Sequence, residues 1–116
     1  MISHAAARDC ELVILQSNHE GQIIEEIHSS KGFEGIIINP AGYGHTSVAI
    51  LDAFKAMGIP SVEVHLSNIY AREEFRRHTV TGSAMIGVIS GFGAHSYILG
   101  IDALIHFLNQ KKEGIG

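Results

Sequence analysis

Residues 35–39 read GIIIN, three consecutive isoleucines between a glycine and a polar asparagine. A strand with one solvated face alternates apolar and polar residues, so this run predicts a strand covered on both faces, as in a parallel sheet. A second apolar run, ELVILQ at 11–16, precedes it, and SVEVHLS at 61–67 and the stretch 85–90 follow it. We predict that these four runs form one parallel sheet.

Helical patterns separate the predicted strands. Ile23, Ile24 and Ile27 recur at helical spacing behind Ser17 and Glu20, which have the spacing of a capping box. The remaining helices are predicted at residues 45–57, 71–77 and 96–109. Strands that alternate with helices indicate right-handed crossovers and an α/β fold, with helices on both faces of the sheet.

Composition limits the classes of protein to which the chain can belong. Its 116 residues fit one domain spanning 1–116. The net charge of −4 and the pI near 6.0 disfavour a nucleic-acid binder and a polybasic membrane-surface module. No apolar run reaches the roughly 18–20 residues that span a bilayer, and no secretory leader is visible. The single Cys10 cannot form an internal disulfide, so we expect a soluble protein of the cytoplasm, without a thiolate metal site.

Polar residues collect where the predicted strands end. Asn39 ends the second strand, His65 and Ser67 end the third, and the glycine-rich GFGAHS follows the fourth. Ligands of parallel α/β sheets bind beyond these carboxyl ends. Glu63, His65 and Ser67 share one face of the third strand, and burying them is costly unless they are hydrogen-bonded or used. A functional site and a satisfied structural network both remain open.

Other chemistries explain this cluster less well. Glu63, His65 and Ser67 are similar in type to a hydrolase triad, but side chains two apart on a strand are expected about 6–7 Å apart, too far for direct hydrogen bonds. The segment GFGAHS is a partial dinucleotide fingerprint, and its backbone N–H groups suit an anion such as a substrate carboxylate. The eight histidines form no H-E-x-x-H motif, so we predict no metal site.

Further candidate residues lie on two predicted helices. His45 begins one of them, with Asp52 seven residues later on the same face. The plainer interpretation is a capping region followed by an exposed aspartate. Arg76 and Arg77 belong to a dense charged stretch that is typical of a solvated helix face, although an arginine there suits bidentate binding of a carboxylate.

Five ordered motifs together resemble the family of type II 3-dehydroquinate dehydratases. They read QSNHEG at 16–21, NPAGYGHTSVA at 39–49, EVHLSN at 63–68, AREEFRRH at 71–78 and GVISGFGA at 87–94. The similarity runs from about residue 10 to the last helix. It implies a flavodoxin-like three-layer α/β fold whose parallel sheet has five strands in the family, of which four are visible here.

The resemblance also implies a reaction. The family dehydrates 3-dehydroquinate to 3-dehydroshikimate through an enolate, in the shikimate pathway of aromatic amino acid biosynthesis or in quinate catabolism. It needs no metal and no organic cofactor. A lid tyrosinate removes the proton beside the ketone, and a histidine protonates the departing hydroxyl. His65 is the implied donor with Glu63 orienting it, and His45 is the other candidate.

Substrate-binding roles follow from the same resemblance. Leu66 and Ser67 would hold the substrate carboxylate through a backbone N–H and a hydroxyl. Asn39 would hold the substrate or the water that stabilises the enolate, and His45 and Arg76 would contact substrate hydroxyls. The family assembles as trimers that form a dodecamer, which implies a homo-oligomer in which Asp52 reaches the substrate of a neighbouring subunit.

The sequence departs from the family most at its start. MISHAAARD at 1–9 matches neither the opening strand nor the Arg- and Tyr-bearing lid, and resembles the tail of the helix that follows the lid. About 30–45 family residues are therefore expected to be absent. Their strand would lie between those at 11–16 and 35–39, so unpaired backbone is expected there. The alternatives are a non-catalytic truncated member that only binds ligand or joins oligomers, and a flavodoxin-like nucleotide-binding domain.

Overall fold

The computed structural model describes residues 2–7 and 10–114. Its strands are β1 (Ile2–Ala7), β2 (Cys10–Gln16), β3 (Gly35–Asn39), β4 (Ser61–His65) and β5 (Gly87–Ser90). Its α-helices are α1 (Glu20–Ser29), α2 (Val48–Met57) and α3 (His95–Lys112). Four short 3₁₀ turns complete the described elements: Ala41–His45, Ile69–Ala71, Glu74–Arg77 and Thr81–Ala84.

The strands form one sheet in the order β1-β2-β3-β4-β5. The pairs from β2 to β5 are all parallel, as the apolar runs predict. All five residues of β3 and all five of β4 are buried, which is the burial expected of strands covered on both faces. The α/β fold class with four parallel strands is thus confirmed.

The start of the chain differs from the prediction in two ways. Ile2–Ala7 is a strand that pairs antiparallel with β2, from Ile2↔Leu15 to Ala7↔Cys10, and not the tail of a helix. Only two residues separate it from β2, and a parallel pairing would need a long crossover. Furthermore, β2 pairs directly with β3, with Gln16 opposite Asn39. The expected gap between them is therefore wrong, because direct pairing satisfies backbone groups that would otherwise be buried without partners.

Several element boundaries also differ from the prediction. Helix α2 begins at Val48, where the Ser47 hydroxyl caps it by accepting the Ile50 N–H at 3.0 Å. The capping box at α1 is wrong: the capping position is His19, and the Glu20 carboxylate accepts the Ser47 hydroxyl at 2.5 Å instead. The helix predicted at 71–77 is replaced by 3₁₀ turns, because its exposed, charged residues offer no apolar stripe to bury.

Apolar layers cover both faces of the sheet. On one face, α1 and α2 pack on β2 and β3 through Ile23, Ile27, Ile50 and Phe54. On the other face, α3 packs on the sheet through its buried Leu104, Ile105 and Leu108. Gly100 allows this approach, since a Cβ there would lie 3.0 Å from Val64 Cγ1. The two layers leave the carboxyl ends of β3 and β4 as the open edge.

Candidate active site

A cleft of about 330 Å³ lies at the carboxyl ends of β3 and β4, where the topology places a ligand site. It is lined by Asn39, Ala41, Gly42, His45, His65, Leu66, Ser67, Ile69, Arg72 and Arg76. Six of the eight residues predicted for the site therefore line one cleft. Of the other two, Glu63 lies buried beneath it, and Asp52 lies exposed on α2.

Glu63 is fully buried, and its carboxylate accepts three hydrogen bonds from neighbouring side chains. Its Oε2 accepts from His65 Nε2 at 2.8 Å and from the Thr79 hydroxyl at 2.6 Å. Its Oε1 accepts from the Thr81 hydroxyl. The expectation that Glu63 and His65 are too far apart to bond is wrong. Side chains on a strand lean along its direction, and the long glutamate side chain reaches across the separation between the two Cβ atoms.

This environment keeps Glu63 ionised. Burial alone raises the pKa of the Glu63 carboxyl, since it disfavours the charged form. The hydrogen bonds outweigh burial and hold that pKa below its ordinary value. The contribution from His65 is the largest of these, followed by those from Thr79 and Thr81. A buried negative charge is therefore fixed beside an imidazole.

The hydrogen bonds of the two histidines define their ring orientations. An ionised Glu63 can only accept, so His65 Nε2 carries a proton, and Nδ1 is the remaining nitrogen for a ligand. The carbonyl of His78 likewise accepts from His45 Nδ1 at 2.7 Å. The two imidazoles stack with centroids 5.6 Å apart. One face of the cleft thus carries two imidazoles, and only His65 has a carboxylate partner.

Asn39 is held by its own network at the end of β3. Its Oδ1 accepts the Ala41 N–H at 3.0 Å, and its Nδ2 donates to the Tyr97 hydroxyl at 3.2 Å. That hydroxyl in turn donates to Gln16 Oε1 at 3.0 Å. These bonds connect α3 to the ends of two strands and fix the amide at the cleft wall.

Two arginines, Arg72 and Arg76, bring positive charge to the lining of the cleft. Arg72 Nη1 approaches the Ser67 hydroxyl at 3.4 Å, and Arg76 Nε donates to Glu73 at 2.7 Å. Two of the N–H groups predicted to suit an anion at the glycine-rich turn, those of Gly91 and Gly93, donate to the carbonyls of His65 and Leu66. Those bonds instead support the backbone that presents Leu66 and Ser67.

Sequence reasoning missed four hydrogen-bonding side chains of the site and its support: Arg72, Thr79, Thr81 and Tyr97. Arg72 was visible only as part of a charged stretch. Thr79 and Thr81 lie in a loop, where no helical or strand periodicity marks a functional residue. Tyr97 falls on the apolar face predicted for the last helix, so its sequence position indicates packing alone. Each is recognisable only from long-range contacts.

No group of three or more His, Cys, Asp or Glu side chains in the described part of the chain is arranged to hold a metal ion. Within the same residues, no helix is long and apolar enough to cross a membrane.

Comparison with known proteins gives the family. The family profile described as dehydroquinase class II matches residues 1–105. A 3-dehydroquinate dehydratase of Acaryochloris marina is 54% identical over 112 residues, which are 96% of this chain and 75% of that protein.

Two solved structures agree with this match. The type II dehydroquinase of Butyrivibrio crossotus aligns with a TM-score of 0.74 and 48% identity, covering 77% of this chain and 63% of that one. The type II dehydroquinase of Propionibacterium acnes aligns with a TM-score of 0.71 and 39% identity, covering 77% of this chain and 66% of that one. The chain belongs to the class II dehydroquinase family, whose members are the hydro-lyases called 3-dehydroquinate dehydratases.

Proposed function

We propose that this chain dehydrates 3-dehydroquinate to 3-dehydroshikimate through an enolate, with His65 as the general acid. The observation that carries the proposal is the buried Glu63–His65 pair beneath the cleft, with 2.8 Å between Nε2 and Oε2. A fixed carboxylate holds an imidazole in one tautomer and stabilises its protonated form. That is the state an acid needs before it donates.

In the proposed elimination, the imidazolium of His65 gives its Nδ1 proton to the departing hydroxyl, which leaves as water. The electron pair of the enolate forms the new carbon–carbon double bond and restores the ketone. Glu63 keeps the proton on Nε2 throughout and compensates the charge of the imidazolium. In the family a lid tyrosinate takes the proton beside the ketone, and residues 1–9 do not match that lid. The described cleft, which no tyrosine lines, supplies the acid half of the reaction, so the base that takes this proton comes from outside it.

The other lining residues suit the substrate's remaining groups. Leu66 and Ser67 offer a backbone N–H and a hydroxyl to the substrate carboxylate, at the end of the cleft nearest Arg72. Asn39 lines the cleft and would hold the substrate or the water that stabilises the enolate. His45 and Arg76 bind substrate hydroxyls. A hydroxyl can accept a hydrogen bond from the guanidinium of Arg76 and can bond either nitrogen form of an imidazole.

We further propose that residues 1–116 act as a single dehydroquinase-like domain in a homo-oligomer of trimers that form a dodecamer. Asp52 supports this, because it is exposed on α2 outside the cleft of its own chain and suits a neighbour's substrate. The free thiol of Cys10 is buried and suits the cytoplasm as the site of action.

The test compares His65→Ala with His45→Ala in a turnover assay that follows the ultraviolet absorbance of the conjugated enone product. His65→Ala should lower kcat about 10²–10⁴-fold, the usual contribution of acid catalysis. His45→Ala should mainly raise KM. A larger loss of kcat in His45→Ala would assign the acid to His45, and near-normal turnover in His65→Ala would overturn the proposal.

A further inference from the structure

Thr81 lies outside the cleft, yet it touches the catalytic carboxylate. It is fully buried, and its hydroxyl donates to Glu63 Oε1. Among the described residues this is the one hydrogen bond that Oε1 accepts, since His65 and Thr79 both donate to Oε2. One of the two oxygens of the buried carboxylate therefore has a single neutral hydroxyl as its hydrogen-bond donor.

Thr79 has a less dedicated role. Its single hydroxyl proton lies near two acceptors, Glu63 Oε2 at 2.6 Å and the Gly44 carbonyl at 3.1 Å. Its oxygen also accepts the Gly82 N–H at 3.1 Å. A substitution at Thr79 would disturb the loop and the carboxylate together. One at Thr81 removes a single contact with the charge and a longer contact of 3.3 Å with the Thr79 hydroxyl.

We propose that Thr81 is a positioning residue that sets the acid strength of His65 by sharing the negative charge of Glu63. The inference rests on the proposed function of His65. A carboxylate that is fully bonded at Oε1 attracts the Nε2 proton of His65 less strongly than one left bare. The imidazolium then releases its other proton more readily to the leaving hydroxyl.

No charged group around the Glu63–His65 pair takes the place of the Thr81 hydroxyl at Glu63 Oε1 among the described residues. His45 stacks on His65 from the Ala41–His45 turn, with the His78 carbonyl accepting from it. Arg72 and Arg76 also line the cleft, but neither donates a hydrogen bond to Glu63. The residues opposite Glu63 in the sheet, Ile38 on β3 and Val88 on β5, are apolar.

The test is the substitution Thr81→Val, which keeps the shape and removes the hydroxyl. Nuclear magnetic resonance of the imidazole carbons should show the titration of His65 moving to higher pH, by about one unit at most, because only part of the energy of a hydrogen bond to Glu63 passes to His65. The pH profile of kcat should move in the same direction, with KM little changed. Thr81→Ser should restore both, because it returns the hydroxyl.

Ser61→Ala is the matched control. It removes a buried hydroxyl from β4, the strand that carries Glu63 and His65, and that hydroxyl donates to the Ile59 carbonyl and not to Glu63. It should leave the titration of His65 unchanged. An unchanged titration in Thr81→Val, or an equal shift in Thr81→Ser, would overturn the inference. The resonance titration needs no turnover, so an inactive wild-type chain would contradict the proposed function without deciding this inference.

A wild-type measurement covers the case in which Thr81→Val does not fold. The Thr81 hydroxyl proton should exchange slowly with water, and its resonance should shift at the pH where His65 titrates. A hydroxyl proton that exchanges at once, or that does not respond to His65, would overturn the inference.

Discussion

Replacing Glu63 with glutamine removes one charge from the site and keeps its shape. The amide oxygen can still accept from His65 and Thr79, and the amide nitrogen can donate to the Thr81 hydroxyl, which is free to turn. Glu63 is fully buried, so no solvent replaces the lost charge. The variant therefore isolates the electrostatic part of the interaction from its packing.

The expected magnitude follows from the geometry. His65 Nε2 lies 2.8 Å from Glu63 Oε2, which puts the centres of the two charges about 4 Å apart. Opposite charges at that separation attract by about 4 kcal/mol at the effective dielectric of protein sites. A neutral hydrogen bond recovers roughly 0.5–1.5 kcal/mol of this. The net loss of about 3 kcal/mol destabilises the imidazolium before it donates, so less His65 is ready to act. The fall in kcat should reach about 10²-fold at most, because each remaining imidazolium releases its proton more readily.

The assay is steady-state formation of the conjugated enone at saturating 3-dehydroquinate. Glu25→Gln is the control, because it makes the same chemical change at an exposed position on α1. It should retain wild-type kcat. If Glu63→Gln folds and also keeps kcat within about threefold of wild type, the charge of Glu63 does not assist the acid, and the reasoning fails.

Three further predictions concern binding and stability. Tyr97→Phe removes the hydroxyl that accepts from Asn39 and should raise KM about 2- to 10-fold, the effect of one hydrogen bond, in the same turnover assay; an unchanged KM would contradict this role. Because the pKa of Glu63 is lower in the fold, its stabilising contribution is present above the unfolded pKa of about 4.3 and is lost as the pH falls through the folded pKa. Urea unfolding at decreasing pH should show this loss in the wild type and less of it in Glu63→Gln. Gly100→Ala places a Cβ 3.0 Å from Val64 Cγ1, and this crowding should cost about 1–3 kcal/mol. The cost should outweigh the roughly 1 kcal/mol that alanine gains in a helix interior, so the urea midpoint should fall; a raised midpoint would show that α3 shifts at little cost.

The fold was largely predictable because its strands carry their signal locally. A run such as GIIIN can only be buried on both sides, and the alternation with helices leaves few topologies. The strand Ile2–Ala7 was not predictable in this way. Its state is decided by the neighbouring edge of β2, which needs a partner for its backbone groups.

The site was predictable to the extent that strand ends fix it. Asn39 and His65 follow directly from the rule that ligands bind beyond the carboxyl ends of parallel strands. The Glu63–His65 bond was not, because Cβ spacing says nothing about how a long side chain leans. Thr81 was not either, since its loop meets Glu63 across 18 residues of chain.

The most direct test of the account is turnover of 3-dehydroquinate by the purified 116-residue chain. The protein is first shown to be folded by circular dichroism, and the absorbance of the conjugated enone is then followed with time. The account predicts a rise in absorbance that depends on His65 and on the charge of Glu63. A folded chain that binds 3-dehydroquinate without forming the enone would contradict the proposed dehydratase activity.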